Sequence, residues 1–172
     1  RLSDDRGFSA AANEALGAVE GAPFLLFLHD DVRLAPDAVT SMVAEAFRAN
    51  AGVVGAKLVD WDDEAVLRSV GLAVDVFGSS ATLVDPGELD QSQHDSARNV
   101  FAVSTACMLV RTDLFRVIGG FSTEIPFFGE DVDLFDLYDA GPPVVLAVVR
   151  AFDPARNRLA DWTTGAWHDY YD

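Results

Sequence analysis

Apolar residues along this chain fall into short runs separated by polar or helically spaced stretches, a pattern that predicts an α/β fold. Gly7 to Val19 carries small and apolar residues at helical intervals and predicts a helix. Phe24 to Leu28 is a continuous apolar run suited to a buried parallel strand, and it stops at His29-Asp30-Asp31. Pro36 fits the first position of a helix and Asp37 its first turn, and Val39, Met42, Val43, Ala46 and Phe47 keep helical spacing to about Asn50. A second strand is expected over Val53 to Val59. The acidic stretch Asp60 to Glu64 predicts a solvated loop, and Val66 to Phe77 alternates enough for a strand pair turning near Gly71.

Gly78 to Asn99 is polar and turn-rich, and loops of that length are uncommon unless they serve a site. Val100 to Arg111 predicts a further strand, Thr112 is placed to cap a short helix through Val117, and Gly119-Gly120 ends it. Glu130 to Asp139 has helical character up to Ala140-Gly141, and Val144 to Val149 predicts a last strand. Trp162 to Asp172 is an aromatic, acidic tail with no clear element.

Length and composition narrow the picture. With 172 residues, half of them apolar, the chain has material for one packed core. No apolar run approaches the roughly 18 residues needed to cross a bilayer. The formal charge of −16 repels phosphate backbones and anionic membranes, which disfavours nucleic-acid binding and leaves divalent-cation binding open. The chain opens at Arg1 with neither Met nor a signal-like segment, which suggests a piece of a longer protein. A single cysteine, Cys107, permits no internal disulfide and no Cys-rich zinc site. Its neighbours Ala106 and Met108 point to a buried, inert thiol.

Two acidic clusters are candidates for chemistry. Asp30 and Asp31 follow an apolar strand directly, and ligands of open α/β sheets collect at the carboxyl ends of strands. Such a pair can hold Mg or Mn and leave positions for water and phosphate oxygens, or it can be a solvated turn with a capping aspartate. His29 beside them either orients a carboxylate or ends the strand. Gly129-Glu130-Asp131-Val132-Asp133, after Phe127-Phe128, puts acids at a helix N-terminus. They serve there as ordinary dipole partners or as a general base at a cleft edge. The Asp60–Glu64 acids lack the spacing and Gly of an EF-hand loop, so a solvated loop is the better reading. His94 and the tail aromatics Trp162, Trp167, Tyr170 and Tyr171 are more simply surface or docking residues than sugar contacts.

Together these stretches resemble the inverting family 2 glycosyltransferases of the GT-A fold. The matching segments are Asp5-Arg6-Gly7-Phe8 with Ala11, Ala12 and Asn13; Phe27 to Val32 with Leu34, Pro36 and Asp37; Gly52 to Gly55; Ala106 to Arg111; Gly119-Gly120-Phe121; and Gly129 to Leu134. The resemblance implies an α/β GT-A fold with a mixed sheet flanked by helices, over residues 1–150, with 151–172 as a tail. It also implies that the first strand-helix units of that fold lie upstream of Arg1. A nucleotide-sugar donor is implied, its diphosphate bridged by Mn or Mg at Asp30 and Asp31. Asp131 corresponds to the base that deprotonates an acceptor hydroxyl, and Glu130 to a residue that supports it or touches the acceptor. Gly7, Asn13, Asp30, Ala106 and Cys107 correspond to donor-binding positions. The acceptor class implied is a glycan or a lipid-linked sugar, and the location is the cytoplasm or the cytoplasmic face of the membrane. Lys57 to Asp62 with Pro86 to Gln91 look most like actinobacterial members acting on cell-envelope glycans.

Three positions depart from the family pattern. Where an Arg usually follows the Glu-Asp-x-Asp-Leu run, this chain has Phe135-Asp136-Leu137-Tyr138. No His follows the last strand in Arg150 to Pro154, which leaves His168 as the later candidate metal ligand. Ser104-Thr105 replaces the Pro-Gly that usually precedes Ala106. These departures keep open a catalytically silent GT-A-like domain used for glycan binding or assembly. Aspartyl-phosphate chemistry, the other alternative for acids at a strand end, lacks its sequence pattern here.

Overall fold

The computed structural model describes residues 7–75, 80–125, 130–136 and 144–153. In chain order the elements are α1 (Gly7–Ala18), β1 (Phe24–Leu28), β2 (Arg33–Leu34), α2 (Ala38–Arg48), β3 (Val53–Asp60), β4 (Leu67–Ser69), β5 (Leu72–Val74), β6 (Ser80–Thr82), β7 (Arg98–Asn99), β8 (Cys107–Arg111), α3 (Thr112–Val117), α4 (Glu130–Asp136) and β9 (Val144–Asp153). The main sheet runs β1-β8-β3-β9-β2, with β4 beside β3 and β7 beside β9. β8 is antiparallel to both β1 and β3, and β3 is parallel to β9. β1, β3 and β9 therefore point the same way, and their carboxyl ends share one edge of the sheet.

Every residue of β3 is buried, as expected of a strand covered on both faces. Val54, Ala56 and Leu58 pack with Ala38, Met42 and Ala46 of α2 and with Cys107 and Leu109 of β8. Val53 faces the other way, into a core of Met108, Val110, Phe115, Phe121 and Leu134 with Phe8, Ala12 and Leu16 of α1. There Phe27, Phe115 and Phe121 pack ring against ring, with centroids 5.0–5.1 Å apart. Burying each fully is worth about 1.5–3 kcal/mol. Gly55 lets the segment before β8 cross this face, because a Cβ there would stand 2.4 Å from Val103. No helix among the described residues is long and apolar enough to cross a membrane.

The mixed sheet with helices on its faces agrees with the expected class, but several elements differ from the sequence reading. The run Phe24–Leu28 is not a buried parallel strand: it pairs only with β8 among the described residues, antiparallel, and is half-buried. Its apolar residues are needed on both faces because α1 covers one and α2 the other. The strand pair expected over Val66–Phe77 is instead divided between two sheets. β4 joins β3, whereas β5 pairs with β6, and Gly71 at φ +107° redirects the chain between them. Of Val100–Arg111 only Cys107–Arg111 is strand, since the preceding residues cross over Gly55. Thr112 is the first residue of α3 and not its cap; the cap position is Arg111, with no side-chain bond. Asp37 occupies the cap position of α2, also without a side-chain bond. The last strand extends to Asp153, beyond the expected Val149, because parallel pairing with β3 continues to Asp60.

Candidate functional site

The connection between β1 and β2 crosses the carboxyl edge of the sheet, since those strands stand at opposite ends of the strand order. Within it the N–H of Val32 donates to the carbonyl of His29 at 3.2 Å, closing a turn with Asp30 and Asp31 at its centre. Asp30 is exposed and Asp31 half-buried. Two hard carboxylates on a closed turn at the ends of parallel strands suit a divalent cation that keeps room for phosphate oxygens. Among the described residues no cluster of three or more metal-ligating side chains forms. The fit therefore rests on a carboxylate pair completed by substrate, the ordinary arrangement for Mg.

The second acidic motif reaches the same edge through a chain of polar contacts. The backbone N–H of His29 donates to the carbonyl of Ala106 at 3.2 Å, joining the end of β1 to the start of β8. Thr105, one residue earlier, places its Oγ1 3.4 Å from His29 Nε2 and donates to Glu130 Oε1 at 3.0 Å. Glu130, the first residue of α4, is buried, while Asp131 beside it is half-buried.

α1 holds the segment 121–125 that precedes α4 in the chain. Ser9 donates to the carbonyl of Ile125 at 3.0 Å. Four residues on, and so on the same helix face, Asn13 donates to the carbonyl of Phe121 at 2.7 Å and accepts from its N–H at 2.9 Å. Gly120, at φ +79°, is required here, because a Cβ would stand 2.3 Å from Asn13 Oδ1. Both ends of the Asn13 amide thus hold the turn that leads to α4. Gly7, at φ +81°, opens α1.

Ala106 and Cys107 belong to the core on the α2 side. The Cys107 sulfur lies 3.9 Å from that of Met42, and burial pushes its thiol up to about 12. It is the inert thiol that the sequence suggested. His94, in the long loop, bonds Glu88 at 3.1 Å and faces Arg98 at 2.9 Å, inside a network of the loop itself. Phe127, Phe128, Gly129, His168 and the tail aromatics lie outside the described residues. A depression bordered by Phe24, Phe47, Arg111 and Arg116 lies at the opposite end of β1 from Asp30 and Asp31.

Sequence reasoning noted Thr105 only as a departure from a pattern, and nothing in the spacing signals that its hydroxyl reaches Glu130. Lys57 had a clearer signal, as a lone charge inside an apolar strand. It is 1% exposed and donates to Asp90 at 2.8 Å and to Asp95, anchoring the loop between β6 and β7.

Comparison with known proteins decides the family. The sequence model described as Glycosyl transferase family 2 matches residues 1–119. The chain belongs to glycosyl transferase family 2. It is 31% identical over 138 residues to the uncharacterized protein y4gI of Sinorhizobium fredii, covering 77% of this chain and 15% of that protein. It is 28% identical over 130 residues to the O-antigen biosynthesis protein RfbC of Myxococcus xanthus, covering 72% of this chain and 10% of the relative. The family 2 chain thus spans a small part of either relative. Among solved structures, GalNAc-T7 with UDP, GalNAc and Mn2+ superposes with a TM-score of 0.71 at 12% identity, over 91% of this chain and 32% of that one. S. aureus TarS 1-349 superposes with a TM-score of 0.58 at 15% identity, over 89% and 42%. Both show the same GT-A fold.

Proposed function

We propose that this family 2 chain transfers a sugar, with inversion, from a nucleotide-diphosphate donor to a hydroxyl of a glycan or lipid-linked acceptor. The observation that carries the reading is the contact of Thr105 with both His29 and Glu130, which brings the two acidic motifs to one edge of the sheet. Asp30 and Asp31 hold Mn or Mg there. A divalent ion so held supplies Lewis-acid stabilisation of the leaving diphosphate. Asp131, the accessible member of the pair opening α4, takes the proton of the acceptor hydroxyl as that oxygen attacks the anomeric carbon. A cell-envelope glycan as product accords with the likeness to an O-antigen biosynthesis protein, and synthesis at the cytoplasmic face of the membrane accords with such a product.

Calorimetry with UDP and GDP, with and without Mn, tests the reading against an Asp30→Asn/Asp31→Asn variant. Metal-dependent binding that the variant loses supports it. Binding of a glycan without binding of either nucleotide in the whole protein would instead favour a silent, glycan-binding GT-A domain.

A further inference from the structure

Thr105 is 2% exposed and touches one residue from each acidic motif's neighbourhood. Its hydroxyl has one proton and two lone pairs. That proton is donated to Glu130 Oε1, 3.0 Å away. The Thr105 oxygen also stands 3.4 Å from His29 Nε2, within reach of a second hydrogen bond. The edge of Phe8, with ring centroids 6.2 Å apart at 76°, packs against the same imidazole. Asp30 follows His29 directly and Asp131 follows Glu130 directly, so each end of the contact is one residue from a group assigned to chemistry.

The two acids opening α4 differ in burial. Glu130 is 8% exposed, and its Oε2 has neither solvent contact nor a hydrogen-bond partner among the described residues. A carboxylate so enclosed is poorly placed to meet an acceptor sugar. Asp131, half-buried, is better placed.

We infer that His29, Thr105 and Glu130 form a positioning bridge that fixes the first turn of α4, and with it Asp131, relative to the Asp30–Asp31 turn. Glu130 is thereby the anchor of the bridge, and the base role stays with Asp131 as proposed above. This rests on the transferase reading above. Because the bridge spans two parts of the site, its loss lowers turnover while leaving donor binding in place.

The test combines a structural and a kinetic readout in the whole chain. Amide spectra should show the Glu130 and Asp131 resonances displaced in Thr105→Val and held in place in Thr105→Ser. Turnover is followed as nucleoside diphosphate release from UDP- and GDP-hexoses, and binding as calorimetric titration with UDP and Mn. Thr105→Val should lower kcat about tenfold with KM and UDP binding unchanged, and Thr105→Ser should restore it. Glu130→Gln, which keeps the shape and the acceptor oxygen, should lose about tenfold, far less than Asp131→Asn. Unmoved Glu130 and Asp131 amides in Thr105→Val overturn the bridge even if no hexose tried is a donor. Glu130→Gln as inactive as Asp131→Asn overturns the anchor assignment while leaving the transferase reading intact. Full activity in Asp131→Asn overturns that reading, and the inference with it.

Discussion

Lys57 and Glu130 are both buried charged side chains, and their described surroundings differ. Lys57 meets two carboxylates, Asp90 and Asp95, and the Asp90 carboxylate also accepts from the N–H of Ser92 at 3.1 Å. Around it Gln93 and His94 both bond Glu88, and Arg98 donates to the carbonyl of Val70, so the long loop is fastened at several points. Glu130 has a hydroxyl on one oxygen and nothing on the other among the described residues. Burying a charge is tolerable where its partners are supplied, as at Lys57, so that cluster holds structure. A buried charge thus serves as a clasp in one place and, on the proposed function, as part of a site in the other.

The largest expected effect tests the open cluster. Asp131→Asn should lower transfer by about 10² to 10⁴-fold while leaving the urea midpoint of unfolding unchanged, as removal of a general base does. The closed cluster should respond the opposite way. Lys57→Met leaves the Asp90 carboxylate, 1% exposed, buried without its cation and should cost about 3–5 kcal/mol of stability in urea titrations. Converting Asp90 and Asp95 to Asn in the same protein should recover much of that loss. If the triple variant stays as unstable as Lys57→Met, Lys57 acts through packing rather than charge.

The tie between α1 and the approach to α4 comes next. Asn13→Ala strips both backbone partners from Phe121 and should cost about 1–3 kcal/mol, read as a lower midpoint of thermal unfolding.

A smaller effect is expected in acid. The Arg68 guanidinium, with the N–H groups of Asp62 and Asp63, holds the Asp60 carboxyl below its ordinary range, and Lys57 does the same for Asp95. A depressed carboxylate contributes its stabilisation fully above the unfolded value of about 3.9 and loses it as pH falls through the folded value. Stability should therefore fall on acidification below about pH 4, and Asp60→Asn should flatten that slope. The smallest expected effect is at Cys107. With its thiol pushed up to about 12, it should resist alkylation at pH 8 until the protein unfolds.

The fold class was legible because it depends on local pattern. The helix α1, the strand β3 and the stop at His29-Asp30-Asp31 are written in apolar spacing and in the residues that interrupt it. The acidic motifs were legible as well, as residue types at the ends of elements. Where strand partners mattered, the pattern was silent. Phe24–Leu28 is equally apolar whether it lies between parallel strands or beside one antiparallel neighbour, and Leu67–Val74 alternates whether its halves pair with each other or join different sheets.

By itself the sequence determined that this chain is an α/β domain with acids at a strand end and at a helix start, because burial periodicity and charge are properties of neighbouring residues. Only the tertiary structure decided that these acids share an edge. Thr105 stands 76 residues from His29 and 25 from Glu130, and Asn13 108 from Phe121. Such contacts are set by strand order and by the crossing over Gly55, which no local pattern encodes.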